Sequence, residues 1–168
     1  LGFEFHPMGP MIDPGDQATV KRVLDPVRGA DALVKDLLLP SLDADYAALD
    51  LAAQRAEVMV THPITFAAPV VAQARRLPWV STVLAPMSFF SATDAPVLAP
   101  APYLARFERF GSWYGRFVSR FARTSTVRWM KPVFDLRRQL GLPAGGHPLF
   151  EGQFSPTLTL ALFSRVLA

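Results

Sequence analysis

The chain has 168 residues, about the size of one globular domain, and carries a formal net charge of +3. Hydrophobic residues make up 51% of it and charged residues 18%, a composition that is enough for a sizeable core and argues against an intrinsically disordered chain. There is no cysteine, which excludes disulfides and thiolate-bound metals. No apolar run approaches the length of a membrane-spanning helix, and no secretion signal is recognisable, so we expect a soluble, cytoplasmic protein.

The first quarter of the chain is expected to hold one short strand and then helices. Residues 1–5 show the alternation of side-chain types that is typical of a β-strand. Asp16 is placed to cap a first helix, and Asp31 is placed to cap a second. Pro40 interrupts the apolar spacing that follows, so the second helix must kink or restart there.

A βαβ unit follows and is the most informative part of the chain. Residues 58–61 and 80–84 are short, β-branched apolar runs typical of buried parallel strands. Between them, residues 66–74 place apolar side chains at the spacing of a helix that packs on a sheet. Residues 157–162 predict a further strand, and we expect the three strands to form one parallel sheet. The predicted fold class is therefore α/β, with a Rossmann-like parallel sheet and flanking helices.

Charge is distributed unevenly along the sequence. Residues 13–57 carry nine acidic and five basic side chains, whereas residues 103–138 carry nine basic and two acidic ones. In this basic region aromatic residues recur every three or four positions, which predicts an amphipathic helix or helical hairpin. We favour an aromatic stripe that faces the core, with a solvated basic back; the alternative is a surface that contacts anionic lipid or an apolar ligand. No nucleic-acid motif accompanies the patch, and we expect no nucleic-acid partner. The stripe comprises Phe107, Phe110, Trp113, Phe117 and Phe121.

Several segments, taken in order, resemble bacterial family 1 sugar transferases of the GT-B fold. None is a catalytic signature by itself, but together they cover most of the chain. They are the residues from Ala56 through His62, Pro63 and Phe66, then LPWVSTVLAP, SFFSATDAP, LRRQLGLP, PLFEGQFSP and the terminal LALFSRVLA.

The resemblance implies that residues 1–168 are most of an N-terminal acceptor-binding domain. In the family a second, C-terminal domain binds a UDP-sugar or related nucleotide sugar, and neither a cofactor nor a metal is implied. The family's first strand and the catalytic-base His after it have no counterpart here, so no catalytic residue is assigned. We expect the isolated chain to be inactive, and we expect residues 1–5 to be displaced or to pair outside this chain.

The carboxyl ends of the parallel strands are where ligands gather in such sheets, so the acceptor site is predicted there. His62 follows the first strand of the βαβ unit, and a neutral imidazole there can bond a hydroxyl or move a proton. In many plant-type relatives the matching residue is an Asp that orients the base, so His62 departs from that pattern. The alternatives are that His62 only caps its loop and that the apolar residues are core. The predicted acceptor-binding residues are His62, Phe66, Met87, Phe89 and Phe90.

Other chemistries are disfavoured by motif. There is no G-x-S-x-G, G-x-G-x-x-G or P-loop sequence, and the three histidines are not spaced as metal ligands. The leading prediction is an inverting glycosyltransferase that acts on a lipophilic hydroxyl compound, such as a sterol, glycolipid or natural product. The alternative is a non-catalytic ligand-binding or membrane-associating module.

Overall fold

A computed structural model shows a mixed α/β protein with a small parallel sheet. The three strands are β1 (Met59–Thr61), β2 (Trp79–Val83) and β3 (Leu158–Ala161), in the order β1-β2-β3. Both strand pairs are parallel, as the sequence predicts. The structure describes residues 4–10, 13, 15–89, 103, 106–107 and 111–164.

The predicted strands are confirmed to within one or two residues at each end. Val60 is paired with Val80, and Val80 with Leu158, so one row of apolar side chains crosses the sheet. Alternate residues of β2 are buried, because successive side chains of a strand point to opposite faces. On the buried face, the Ser81 hydroxyl lies 2.8 Å from the Thr159 hydroxyl, a side-chain bond that joins β2 to β3.

The first helix, α1 (Gln17–Val23), begins as predicted. The Asp16 carboxylate accepts hydrogen bonds from the backbone N–H groups of Ala18 and Thr19. A hydrogen bond from the Thr19 side chain, followed by these backbone bonds, lowers the pKa of Asp16. Asp16 is therefore a confirmed N-cap.

The second helix begins earlier than predicted. A short turn α2 (Gly29–Asp31) runs directly into a π-helical segment, Ala32–Leu38. Asp31 is inside this helix and caps nothing, so the prediction that it is an N-cap is wrong. Instead, the Asp25 carboxylate accepts from the N–H groups of residues 27 and 28, and Asp31 pairs with Lys35 one turn later.

The later helices enclose the core. Helix α3 (Leu42–Ala53) restarts after Pro40, and α4 (Ala67–Ala74) connects β1 to β2. A 3₁₀ turn, Pro86–Phe89, follows β2, and another, Glu151–Gln153, precedes β3. Between these turns lie α5 (Ser112–Thr126) and α6 (Lys131–Gln139). The main core joins the second helical segment, α3, α4 and α6 through Val34, Leu42, Phe66, Ala67, Val70, Met130, Val133 and Leu136.

The face of the sheet opposite the buried side chains is open among the described residues. Val60 is 65% exposed, and Leu158 and Leu160 of β3 are exposed beside it. The outer edge of β1 pairs with no described strand. Glu4 and Phe5 are outside any strand, while the rest of the predicted first strand lies outside the described residues.

The predicted core-facing aromatic stripe of the basic region is wrong for α5. Trp113, Phe117 and Phe121 are 65%, 50% and 56% exposed, respectively. The buried side of α5 is formed instead by Tyr114, Gly115 and Val118. Phe107 does pack on this buried side, whereas Phe110 lies outside the described residues.

Candidate functional site

Two loops meet at one edge of the sheet. His62 directly follows β1, and the 3₁₀ turn Pro86–Phe89 follows β2 after two residues. Because β1 and β2 are neighbouring parallel strands, their carboxyl ends lie side by side. The structure therefore brings His62 and the Phe89 turn to the edge at which open parallel sheets bind ligands.

His62 is half-buried and forms part of a tight turn. Its carbonyl oxygen accepts a hydrogen bond from the N–H of Thr65 at 3.0 Å. Its ring nitrogen Nδ1 is 3.5 Å from the N–H of Ile64, at the limit of hydrogen bonding. A ring that accepts at Nδ1 carries its proton on Nε2 in the neutral form, so Nε2 is the nitrogen that can donate to a ligand.

The predicted aromatic residues separate into two environments. Phe66 is 6% exposed and belongs to the main core, so it offers almost no surface to an acceptor. Phe89 is 45% exposed, stacks on Phe154 with ring centres 5.7 Å apart, and meets Phe163 edge-on. Met87 lies in the same turn as Phe89. Phe90 lies outside the described residues.

A cleft of about 190 Å³ opens beside Phe89. Two further rings line it, and both come from the segment just before β3. The remaining lining side chains are polar and come from α5 and from the 3₁₀ turn before β3. The lining residues are Phe89, Ser119, Arg123, Phe150, Glu151 and Phe154.

A two-pronged ion pair forms the polar side of this cleft. Arg123 Nη1 lies 2.9 Å from Glu151 Oε1, and its Nη2 lies 2.8 Å from Oε2. The guanidinium also lies over the Phe150 ring, 5.2 Å from its centre. Burial acts to raise the pKa of Glu151, but backbone N–H groups and Arg123 outweigh it and lower the pKa overall. Glu151 is therefore an ionised hydrogen-bond acceptor at neutral pH, held in place beside the aromatic rings.

His147 does not line the cleft but packs against Phe150, which does. Its Nδ1 accepts from the N–H of Leu149 at 3.3 Å, and its Nε2 lies 3.3 Å from the hydroxyl of Thr126. Thr126 donates that hydroxyl proton to the Ala122 carbonyl, so His147 must donate from Nε2 and is neutral. Burial lowers the pKa of His147, consistent with this assignment. The ring packs edge-on against Phe150 and fixes its position.

A larger cavity, about 590 Å³, runs along α6. None of its lining residues follows a strand. Lys131 and Arg138 both pair with Asp135, and Arg128 has no carboxylate partner among the described residues, so the groove carries an excess of positive charge. It is an open groove lined by Val127, Arg128, Lys131, Phe134, Asp135, Arg138, Leu142 and Ala144. We take the smaller cleft as the candidate site, because it combines aromatic rings with an ion pair and includes Phe89 from the turn that follows β2.

Arg137 is the most deeply buried charged side chain of the described residues, at 5% exposed. It donates to the Pro143 carbonyl at 2.9 and 2.8 Å and to the Gln73 side chain at 2.7 Å. Burial lowers its pKa. These bonds join α6, α4 and the loop after α6, so Arg137 holds the scaffold together and does not enter the Phe89 cleft.

Sequence reasoning missed most of the cleft. Phe150, Glu151 and Phe154 all lie in the segment PLFEGQFSP, which supports the family resemblance but holds no predicted site residue. Arg123 was one of many arginines in a basic region. Only the tertiary structure identifies these residues, because they come from segments more than 25 positions apart in the sequence and converge beside Phe89.

Neither a metal site nor a membrane-spanning helix is found among the described residues. Among the described residues, no three His, Asp or Glu side chains cluster in a way that could hold a metal ion. Within the same parts of the chain, the helices lack the combined length and apolarity needed to cross a bilayer.

Comparison of the chain with protein-family models, with curated proteins and with solved structures found no match in any of the three.

Proposed function

We propose that this chain is the acceptor-binding part of a glycosyltransferase that uses a nucleotide sugar. The observation that carries the proposal is the cleft beside Phe89, in the turn that follows β2, where Phe89 and Phe154 stack beside the Arg123–Glu151 pair. Stacked rings bind the flat face of a lipophilic compound, and an ionised carboxylate accepts a hydrogen bond from its hydroxyl. His62, which directly follows β1, supplies a second polar group of suitable chemistry.

The proposed acceptor is a lipophilic alcohol or phenol such as a sterol, glycolipid or ring-containing natural product. A cleft of about 190 Å³ encloses only part of such a molecule, so the remainder would extend toward the His62 side of the edge. The sequence resemblance to family 1 sugar transferases supports a UDP-sugar donor and inversion at the anomeric carbon.

The proposal includes a second set of elements that completes the domain in a GT-B arrangement. Parallel sheets are ordinarily covered on both faces, yet Val60, Leu158 and Leu160 are exposed among the described residues. The outer edge of β1 is also unpaired in the described part of the chain. We infer that further elements of the same domain cover this face and pair with this edge, and that the donor-binding domain lies elsewhere in the protein.

A transfer assay tests this function. A polypeptide that contains this chain together with a donor-binding domain should move labelled sugar from UDP- or dTDP-sugars to a lipophilic alcohol, while the 168-residue chain alone should not. Phe89→Ala in the longer protein should raise KM for the acceptor and leave KM for the donor unchanged, because Phe89 contacts only the acceptor. A matched Phe5→Ala change, at an exposed ring away from the described strands, should alter neither constant.

Two results would contradict the proposal. Sugar transfer by the isolated chain would show that no donor domain is needed. Tight binding of a lipophilic alcohol, without transfer by the longer protein for any donor in the panel, would favour a non-catalytic ligand-binding module.

A further inference from the structure

Helix α5 exposes aromatic side chains that nothing in the described residues covers. Trp113, Phe117 and Phe121 recur every four residues, and the rings of Trp113 and Phe117 stack with their centres 5.9 Å apart. Four residues advance the helix by about one turn plus 40°, so the three rings lie in one row. This row is distinct from the buried side formed by Tyr114 and Val118.

A row of arginines adjoins the aromatic row. With about 100° of turn per residue, Arg120 lies next to Trp113 around the helix, and Arg116 lies just beyond it. Both are exposed, and no described carboxylate lies within 4 Å of either guanidinium. Arg123, by contrast, is neutralised by Glu151. The α5 sequence contains no acidic residue at all.

We propose that this face of α5 docks the protein on an anionic membrane surface. A helix that lies in the bilayer interface needs aromatic residues toward the acyl chains and cationic residues at the headgroup level, and α5 presents the two rows side by side. Because these arginines have no acidic neighbour in the described part of the chain, they favour anionic lipids over a second copy of this chain, which would bring the same positive charges together. The inference does not depend on the proposed transfer activity.

Vesicle sedimentation tests the charge requirement. The chain should bind vesicles of phosphatidylcholine mixed with phosphatidylglycerol and should bind pure phosphatidylcholine much less. Arg116→Gln with Arg120→Gln should weaken binding to the anionic vesicles by about tenfold or more. The matched control is Lys21→Gln with Arg55→Gln, which removes the same charge from exposed sites outside α5 and should change binding less than about twofold.

The aromatic row is tested by substitution and by fluorescence. Trp113→Ser with Phe117→Ser should also reduce binding at least about tenfold, while the exposed positions leave the melting temperature nearly unchanged. In the unmodified chain, brominated lipid should quench the emission of Trp113, since Trp79 is buried and Trp129 is half-buried against the core, beneath Lys35. This second readout needs no stability-altering variant.

Three outcomes would overturn the proposal. The first is equal binding to neutral and anionic vesicles, or an equal loss in the control variant. The second is the absence of vesicle binding, whether or not the chain binds a DNA duplex. The third is a concentration-dependent dimer that the Trp113→Ser, Phe117→Ser variant abolishes while vesicles remain unbound.

Discussion

Replacing Arg137 with methionine removes the buried guanidinium that joins α6, α4 and the loop after α6. Its three hydrogen bonds go to two acceptors, the Pro143 carbonyl and the Gln73 side chain. A hydrogen bond that involves a charged group contributes about 1.5–3 kcal/mol, and each acceptor left buried and unpaired costs about 1–3 kcal/mol. Relief of the desolvation cost of the guanidinium offsets part of this loss. We expect a net loss of about 2–3 kcal/mol in the free energy of unfolding.

Arg138→Met is the matched control for this change. Arg138 is the next residue, its side chain is 78% exposed, and its one described partner is Asp135 at 3.1 Å. Exposed pairs of this kind contribute about 0–1 kcal/mol. Urea unfolding should therefore separate the two variants clearly, and thermal melts should place Arg137→Met about 5–10 °C lower than the unmodified chain. Equal stability of the two variants would refute the structural role assigned to Arg137.

Three further predictions concern single residues. Burial lowers the pKa of His147 below its ordinary value, so protonation of this residue favours the unfolded state. The free energy of unfolding should therefore be highest above about pH 6.5 and should decrease, by at most about 1.4 kcal/mol per pH unit, as the pH falls through the lowered pKa. Urea unfolding at several pH values should show that His147→Gln reduces this pH dependence. Phe89→Ala should weaken the binding of a lipophilic alcohol, measured by calorimetry, and should lower stability by less than about 3–5 kcal/mol, the loss typical of a buried core Phe. An unchanged affinity together with a stability loss of about 3–5 kcal/mol would instead show that Phe89 belongs to the core. Asp16→Ala should lower the free energy of unfolding by about 1 kcal/mol in chemical denaturation. Glu57→Ala, at an exposed position outside any helix, should lower it by less than about 0.5 kcal/mol. Equal losses in the two variants would contradict the role of Asp16 as an N-cap.

The parts of the fold that depend on local pattern were predictable. The three strands appear where β-branched apolar runs occur, and Asp16 caps α1 because its carboxylate reaches N–H groups two and three residues away. Asp31 has the same residue type but lies inside a helix that an earlier Asp, Asp25, has already started. Competition between two nearby capping residues is not visible in either residue alone.

The outward orientation of α5 was not predictable from periodicity. A spacing of three or four residues predicts that Trp113, Phe117 and Phe121 lie on the same side of a helix, but it does not predict whether that side faces the core. Tyr114 and Val118 occupy the buried side and pack with Phe107. The candidate site was only half predictable for a related reason: His62 and Phe89 follow strands, whereas Arg123 and Glu151 reach the cleft through tertiary packing.

The central claim is that the carboxyl edge of the sheet binds the acceptor, and the most direct test is a ligand titration of the isotopically labelled chain followed by NMR. Oestradiol and other lipophilic alcohols serve as probes. We expect shift changes concentrated at His62, Phe89, Glu151 and Phe154, and we expect these changes to be lost in Phe89→Ala. Changes confined to the groove along α6, or no changes with any alcohol in the panel, would contradict this claim.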